Sequence, residues 1–160
     1  VDRGLMRKLP PPIDPNQPKP PPIKERNVFQ VLINANNQLM VEGELTDIMQ
    51  LKNKAKEFIA NPADDPNLPE KKPPQEIENF GRWSVSKGVI SLQNDRGTAY
   101  NMYIQVQTEL ATAYRELRDE LAGQKFGKKF SELDKDQSKA IQEAIPVVVS
   151  EAEPKNVTGS

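Results

Sequence analysis

The chain contains neither cysteine nor histidine. Without cysteine there are no disulfides, no thiol nucleophile and no thiolate metal ligands. Without histidine the usual general base near neutral pH is missing, and so are most zinc sites. No run approaches the roughly 18 consecutive apolar residues that a membrane-spanning helix needs, and no basic start followed by an apolar stretch marks a signal peptide. Charge of one sign is not in excess either: 22 Lys and Arg face 23 Asp and Glu. A nucleic-acid-binding face normally needs a basic surplus, so no nucleic-acid partner is expected. Aromatic residues are few, and the mean hydropathy of −0.71 points to a small core. The first residue is Val1 rather than Met, from which we expect that an N-terminal segment has been removed.

Proline, by contrast, is abundant and unevenly placed. Leu9 to Ile23 reads Leu-Pro-Pro-Pro-Ile-Asp-Pro-Asn-Gln-Pro-Lys-Pro-Pro-Pro-Ile. Proline fixes φ and pushes its predecessor out of the helical region, so this run favours extended polyproline II. At about 3.1 Å per residue it would reach roughly 45 Å. Residues 1–27 are therefore expected to form a linker, either a plain spacer or a docking site for a partner that recognises proline.

Beyond it, Val28–Ile33 is rich in β-branched and aromatic residues and predicts a strand. Residues 34–38 carry turn chemistry, and Leu39-Met40-Val41 returns as a second strand closed by Gly43. Thr46 is placed as an N-cap, and Ile48, Leu51, Ala55 and Phe58 give one apolar helix face that stops at Asn61-Pro62. Residues 61–81 hold five prolines and predict a long surface loop, with Phe80 and Trp83 capping the core at its end. Strands are expected at Trp83–Ser86 and Val89–Leu92. The longest helix is expected over 99–122, where Tyr103, Gln107, Leu110, Tyr114, Leu117 and Leu121 form the packing stripe. Arg115, Glu116, Arg118, Asp119 and Glu120 give it a solvated face, and Gly123 and Gly127 should break it. A shorter helix follows over 131–144, and Pro146–Ser150 predicts a last strand. Proline at its first position suits a strand start or an edge.

Amphipathic helices interleaved with strands need a sheet face to bury against. The expected fold is α+β: a two-layer sandwich, with a small mixed β-sheet carrying helices on one face, preceded by the Pro-rich extended linker. The expected domain spans 28–150, with 61–87 as a long loop insertion and 151–160 as a polar C-terminal tail. Chemistry-bearing motifs are lacking. Asp64-Asp65 and Asp134/Asp136 do not have calcium-loop spacing, Glu151 and Glu153 have no accompanying nucleophile, and no phosphate-binding glycine motif occurs. Neither an enzyme nor a cofactor is expected. What such a domain can offer is a sheet edge that grasps a partner strand. Val147, Val148 and Val149 are the candidate edge, with Val28–Ile33 a second; the alternative for each is pairing within the monomer or across a homodimer.

Four features resemble the periplasmic domain of ExbD/TolR proteins. The Pro-rich linker leads into the hairpin Val28–Val41. An amphipathic helix, Thr46–Ala60, follows. A strand then ends in Asp95-Arg96-Gly97-Thr98-Ala99-Tyr100 and runs into a helix with Ile104, Val106 and Leu110. A short terminal strand closes the domain. Gly88–Leu121 and Ser150–Lys155 are similar to ExbD-like proteins of the Bacteroidetes type. The resemblance matches Asp95, Arg96 and Tyr100 to the family's turn and helix start. It matches Leu5, Leu9 and Pro10 to a linker docking motif near the membrane, with Arg7 departing from the apolar residue the family has there. The resemblance implies a single transmembrane helix ahead of Val1, anchored in the inner membrane with this portion in the periplasm of a Gram-negative bacterium. It implies a homodimer within an ExbB-like pentamer, driven by the proton motive force and energising a TonB-like partner. Alternatives are a TolR-like component that binds peptidoglycan, or a stator-like subunit of another ion-driven machine.

Overall fold

A computed structural model of the chain describes residue 16 and residues 22–95, 100–151 and 157–158. In chain order, β1 (Ile23–Lys24), β2 (Val28–Ile33), β3 (Leu39–Val41) and β4 (Glu44–Leu45) precede α1 (Ile48–Ala60). Next come β5 (Gln75–Ile77), β6 (Gly81–Trp83), β7 (Val89–Asn94), α2 (Tyr100–Phe126), α3 (Lys135–Ala144), β8 (Val149–Ser150) and β9 (Val157–Thr158). The main sheet has five strands in the order β4-β3-β2-β7-β8. β4, β3 and β2 pair antiparallel, whereas β2–β7 and β7–β8 are parallel. This is the expected α+β architecture, a mixed sheet with the helices packed against it.

Alternation along the strands decides which side chains enter the core. Phe29, Val31 and Ile33 of β2, Leu39 and Val41 of β3, and Ile90 and Leu92 of β7 point inward. Leu51, Ala55, Phe58 and Ile59 of α1 cover them, together with Val106, Leu110, Ala113, Tyr114 and Leu117 of α2. The Phe29 and Phe58 rings meet with centroids 4.9 Å apart. α1 and α2 lie side by side, tied by Lys52–Glu116 at 2.9 Å, Lys56–Glu116 at 3.0 Å and Lys56–Glu120 at 2.6 Å. The Lys52 and Lys56 ammoniums hold the Glu116 carboxyl below its ordinary pKa.

Several boundaries differ from the sequence expectation for local reasons. Asp47, not Thr46, caps α1, its carboxylate accepting from the Met49 amide at 2.8 Å. The Thr46 amide is used by the sheet, donating to the Leu39 carbonyl, and its hydroxyl donates to the Glu44 carbonyl. α2 runs through Gly123 and ends only at Gly127, whose φ of +68° closes the helix. A mid-helix glycine costs about 1 kcal/mol relative to alanine, and burial of Leu121 and Ala122 beside it offsets that. Likewise α3 begins after Asp134, whose carboxylate accepts from the Gln137 amide while Gln137 reaches back to the Asp134 amide. Residues 130–132 form a separate 3-10 turn.

The expected surface loop over 61–81 holds more order than its prolines suggest. Asn61 leaves α1 in the left-handed region at φ 39° and is fully buried. Its side-chain amide donates to the carbonyls of Pro69 and Asp65, and its Oδ1 accepts from the Asp65 amide. The loop is thus wrapped around one satisfied polar side chain. Residues 70–87 then form an antiparallel arm: Lys71 bridges Ser86, and β5 pairs with β6. Its tip carries a second apolar cluster, Ile77 and Phe80 against Leu121, Ala122, Ala140, Ile141 and Ala144. Ile145 packs on both clusters. Trp83, expected to cap the core, is partly buried on this second cluster, edge-on to Phe80.

Candidate partner-binding edge

β8 ends the main sheet. It pairs with β7 through Ile90–Val149 and Ser91–Ser150, and the Ile90 amide donates to the Val148 carbonyl at 3.0 Å. Of the predicted strand Pro146–Ser150, only Val149–Ser150 takes ladder geometry. Val147, Val148 and Val149 are 54%, 37% and 37% exposed, an unusual run of apolar surface at a sheet margin. The opposite margin is unlike it. β4 is two residues long, carries Glu44, and follows a turn in which Glu42 and Gly43 both have positive φ. Shortness and charge blunt such an edge. The second sequence candidate is corrected: Val28–Ile33 is the central strand, paired to β3 on one side and to β7 on the other. The parallel β2–β7 pairing spans a crossover, and strand composition carries no signal for it.

What fixes the C-terminal stretch is a set of three side chains reaching over long sequence separations. The Trp83 indole donates to the Ala144 carbonyl at 3.0 Å. Arg118 Nε donates to the Ile145 carbonyl at 2.9 Å. The Tyr114 hydroxyl accepts from the Val148 amide at 3.3 Å and faces the Val148 carbonyl at 3.4 Å. Burial raises the Tyr114 phenol above its ordinary pKa, so it stays neutral and can both donate and accept. Burial likewise lowers the Arg118 pKa, and its guanidinium lies 5.7 Å from the Phe130 ring centroid. Arg118 therefore does not belong to a solvated helix face as its charge suggests. Tyr114 reads in the sequence as one more member of the packing stripe. Nothing local marks either residue as a clamp, because the carbonyls they hold lie 27 and 34 residues away.

Of the remaining sequence candidates, Asp95 and Tyr100 are among the described residues. The Asp95 amide donates to the Ile33 carbonyl and extends the β2–β7 ladder by one bond. Tyr100 opens α2 and is 74% exposed. Arg96, Leu5, Leu9 and Pro10 lie outside the described residues. Among the described residues no cluster of His, Cys, Asp and Glu could hold a metal ion, and no helix is long and apolar enough to cross a membrane.

Residues 5–118 match a family model described as biopolymer transport protein ExbD/TolR. No curated protein matches the chain.

Proposed function

Since the chain belongs to the ExbD/TolR family of biopolymer transport proteins, we propose that it is the periplasmic part of an ExbD-like subunit that passes motion from an ion-driven inner-membrane motor to a TonB-like partner. The family's members are non-enzymatic subunits of energising motors, associated with membranes and working in multi-subunit complexes. In our reading the subunit works as a homodimer with an ExbB-like pentamer and uses the proton motive force for TonB-dependent transport across the outer membrane. Residues 1–27 are the periplasmic linker, 28–150 the working domain with 61–87 as its insertion, and 151–160 the tail.

The observation that carries this reading is the β8 margin: one side paired to β7, three consecutive valines exposed, and the backbone held by Trp83, Arg118 and Tyr114. An extended segment adding there as a strand gains main-chain hydrogen bonds, while alternate side chains meet the valines. A pulling load spreads along strands joined in parallel rather than falling on one bond.

The test is a binding assay of the 160-residue chain against a TonB periplasmic segment and against purified peptidoglycan. We expect the TonB segment to bind and peptidoglycan not to. Deleting Pro146–Ser150 should weaken binding about tenfold or more while the helical circular dichroism persists. Retention on peptidoglycan without TonB binding replaces this reading with a TolR-like one. Undiminished TonB binding by the deletion variant removes β8 from the interface.

A further inference from the structure

A groove of about 730 Å³ lies between the C-terminal halves of α1 and α2, the hairpin arm, and the stretch leading from α3 to β8. That volume falls within the range of small-molecule sites. The groove opens where the two apolar clusters meet. Ile59 and Leu117 line it from the first, Leu121 and Trp83 from the second, and Ile145 from the stretch that packs on both. Gly88 forms part of the floor, where a Cβ would come within 2.9 Å of the Phe58 ring and 3.1 Å of Pro69. The absence of a side chain there keeps the arm seated against α1 and the groove in its present shape.

Charge along the groove is uneven. The acid on its wall, Glu120, is engaged by Lys56 Nζ at 2.6 Å. Lys71 is directed to the Asn61 carbonyl at the C-terminus of α1, at 3.4 Å. Arg82 is different. It lines the groove and is exposed, and its guanidinium has no hydrogen-bond or ion-pair partner among the described residues. Glu76 stands opposite it in the β5–β6 register without forming an ion pair. A second cation lies near: Lys125 Nζ sits 4.7 Å from the Phe80 ring centroid and beside Gly81. The result is an apolar trough with two cations, Arg82 and Lys125, beside one end.

We propose that this groove binds a single-chain amphiphile with an anionic head, its alkyl chain along Trp83, Leu117 and Leu121 and its head on the Arg82 guanidinium. The planar donor fork of arginine suits a carboxylate or a phosphate oxygen pair equally, so a fatty carboxylate and an alkyl phosphate share the chemistry. The groove shares Trp83 and the stretch leading to β8 with the clamp described above, but Arg82 takes no part in that clamp, so the Arg82 test reads the groove separately from the TonB reading.

Trp83 is the chain's single tryptophan, so its fluorescence reports the groove directly. The 160-residue chain is titrated with dodecanoate, dodecyl phosphate, dodecanol and acetate, all below micelle-forming concentrations. A saturable emission change is expected with one or both anionic amphiphiles, and the tighter of the two identifies the head group. Dodecanol should bind about tenfold more weakly, and acetate should leave the emission unchanged. Arg82→Gln, at an exposed position that leaves the fold intact, should weaken the anions about tenfold without altering dodecanol. A linear, unsaturable response, equal affinity for dodecanol, or unaltered anion affinity in Arg82→Gln overturns the proposal.

Discussion

Glu70 shows how a single exposed-looking charge holds part of this fold. Its carboxylate accepts from Lys24 Nζ at 2.9 Å and from Asn27 Nδ2 at 3.1 Å, while its amide donates to Asn27 Oδ1. The hydrogen bond from Lys24 comes first among the causes that bring its pKa down from 4.5 to about 2, with that from Asn27 next. Because the folded value lies below the unfolded one, the group binds its proton more weakly when folded. Its stabilisation is complete above about pH 4.5 and disappears as pH falls through about 2. We expect Glu70→Gln to be less stable than the parent at pH 7, with the gap closing as pH approaches 2. Denaturant midpoints of both proteins at pH 7, 4 and 2 check this, and a gap independent of pH would contradict the linkage. Asn27 reads in the sequence as a boundary residue, yet it is buried. Its role depends on a glutamate 43 positions away.

At the scale of elements, β8 has a slight hold on the sheet. It shares two register pairs with β7, against six between β2 and β7. The Tyr114 hydroxyl therefore matters out of proportion to its size. Tyr114→Phe keeps the ring in the core and removes the acceptor for the Val148 amide. The expected loss is about 1 kcal/mol of global stability, with faster hydrogen exchange confined to Val148 and its neighbours. Exchange rates unchanged at Val148 would show that the hydroxyl does not fasten the strand. Helices were the most legible elements in the sequence. The apolar spacing Ile48, Leu51, Ala55, Phe58 places α1 correctly, because a repeating period integrates over many residues. Their ends were less legible. A cap depends on which backbone groups the neighbouring strand has already used, as with Thr46 and Asp47.

Across the whole molecule, the two apolar clusters share α2 and Ile145. They should consequently unfold together. Ile141 is fully buried in the second cluster. Ile141→Ala should lower stability by about 3 kcal/mol and shift one cooperative transition. Trp83 fluorescence and far-ultraviolet circular dichroism should report the same lower midpoint. If fluorescence melts first, the hairpin arm and α3 form a separately unfolding unit. The family match ends at residue 118, while Leu121, Ala122, Ala140, Ile141 and Ala144 lie beyond it. The second cluster thus joins the 61–87 segment to the chain's later part.

The sequence by itself determined the α+β class, the core stripes of α1 and α2, the strands Val28–Ile33 and Val89–Leu92, and the resemblance to a non-enzymatic motor family. The first three follow from periodicity and composition, and the resemblance rests on local motifs; all are short-range properties. Only the tertiary structure decided that Val28–Ile33 is central and Val149 marginal. It alone placed Trp83, Arg118 and Tyr114 as a clamp on the C-terminal stretch and left Arg82 facing an apolar groove. Those outcomes rest on parallel pairing and hydrogen bonds across 27 to 61 residues. Over such separations the chain's local preferences are silent, and packing selects the partners.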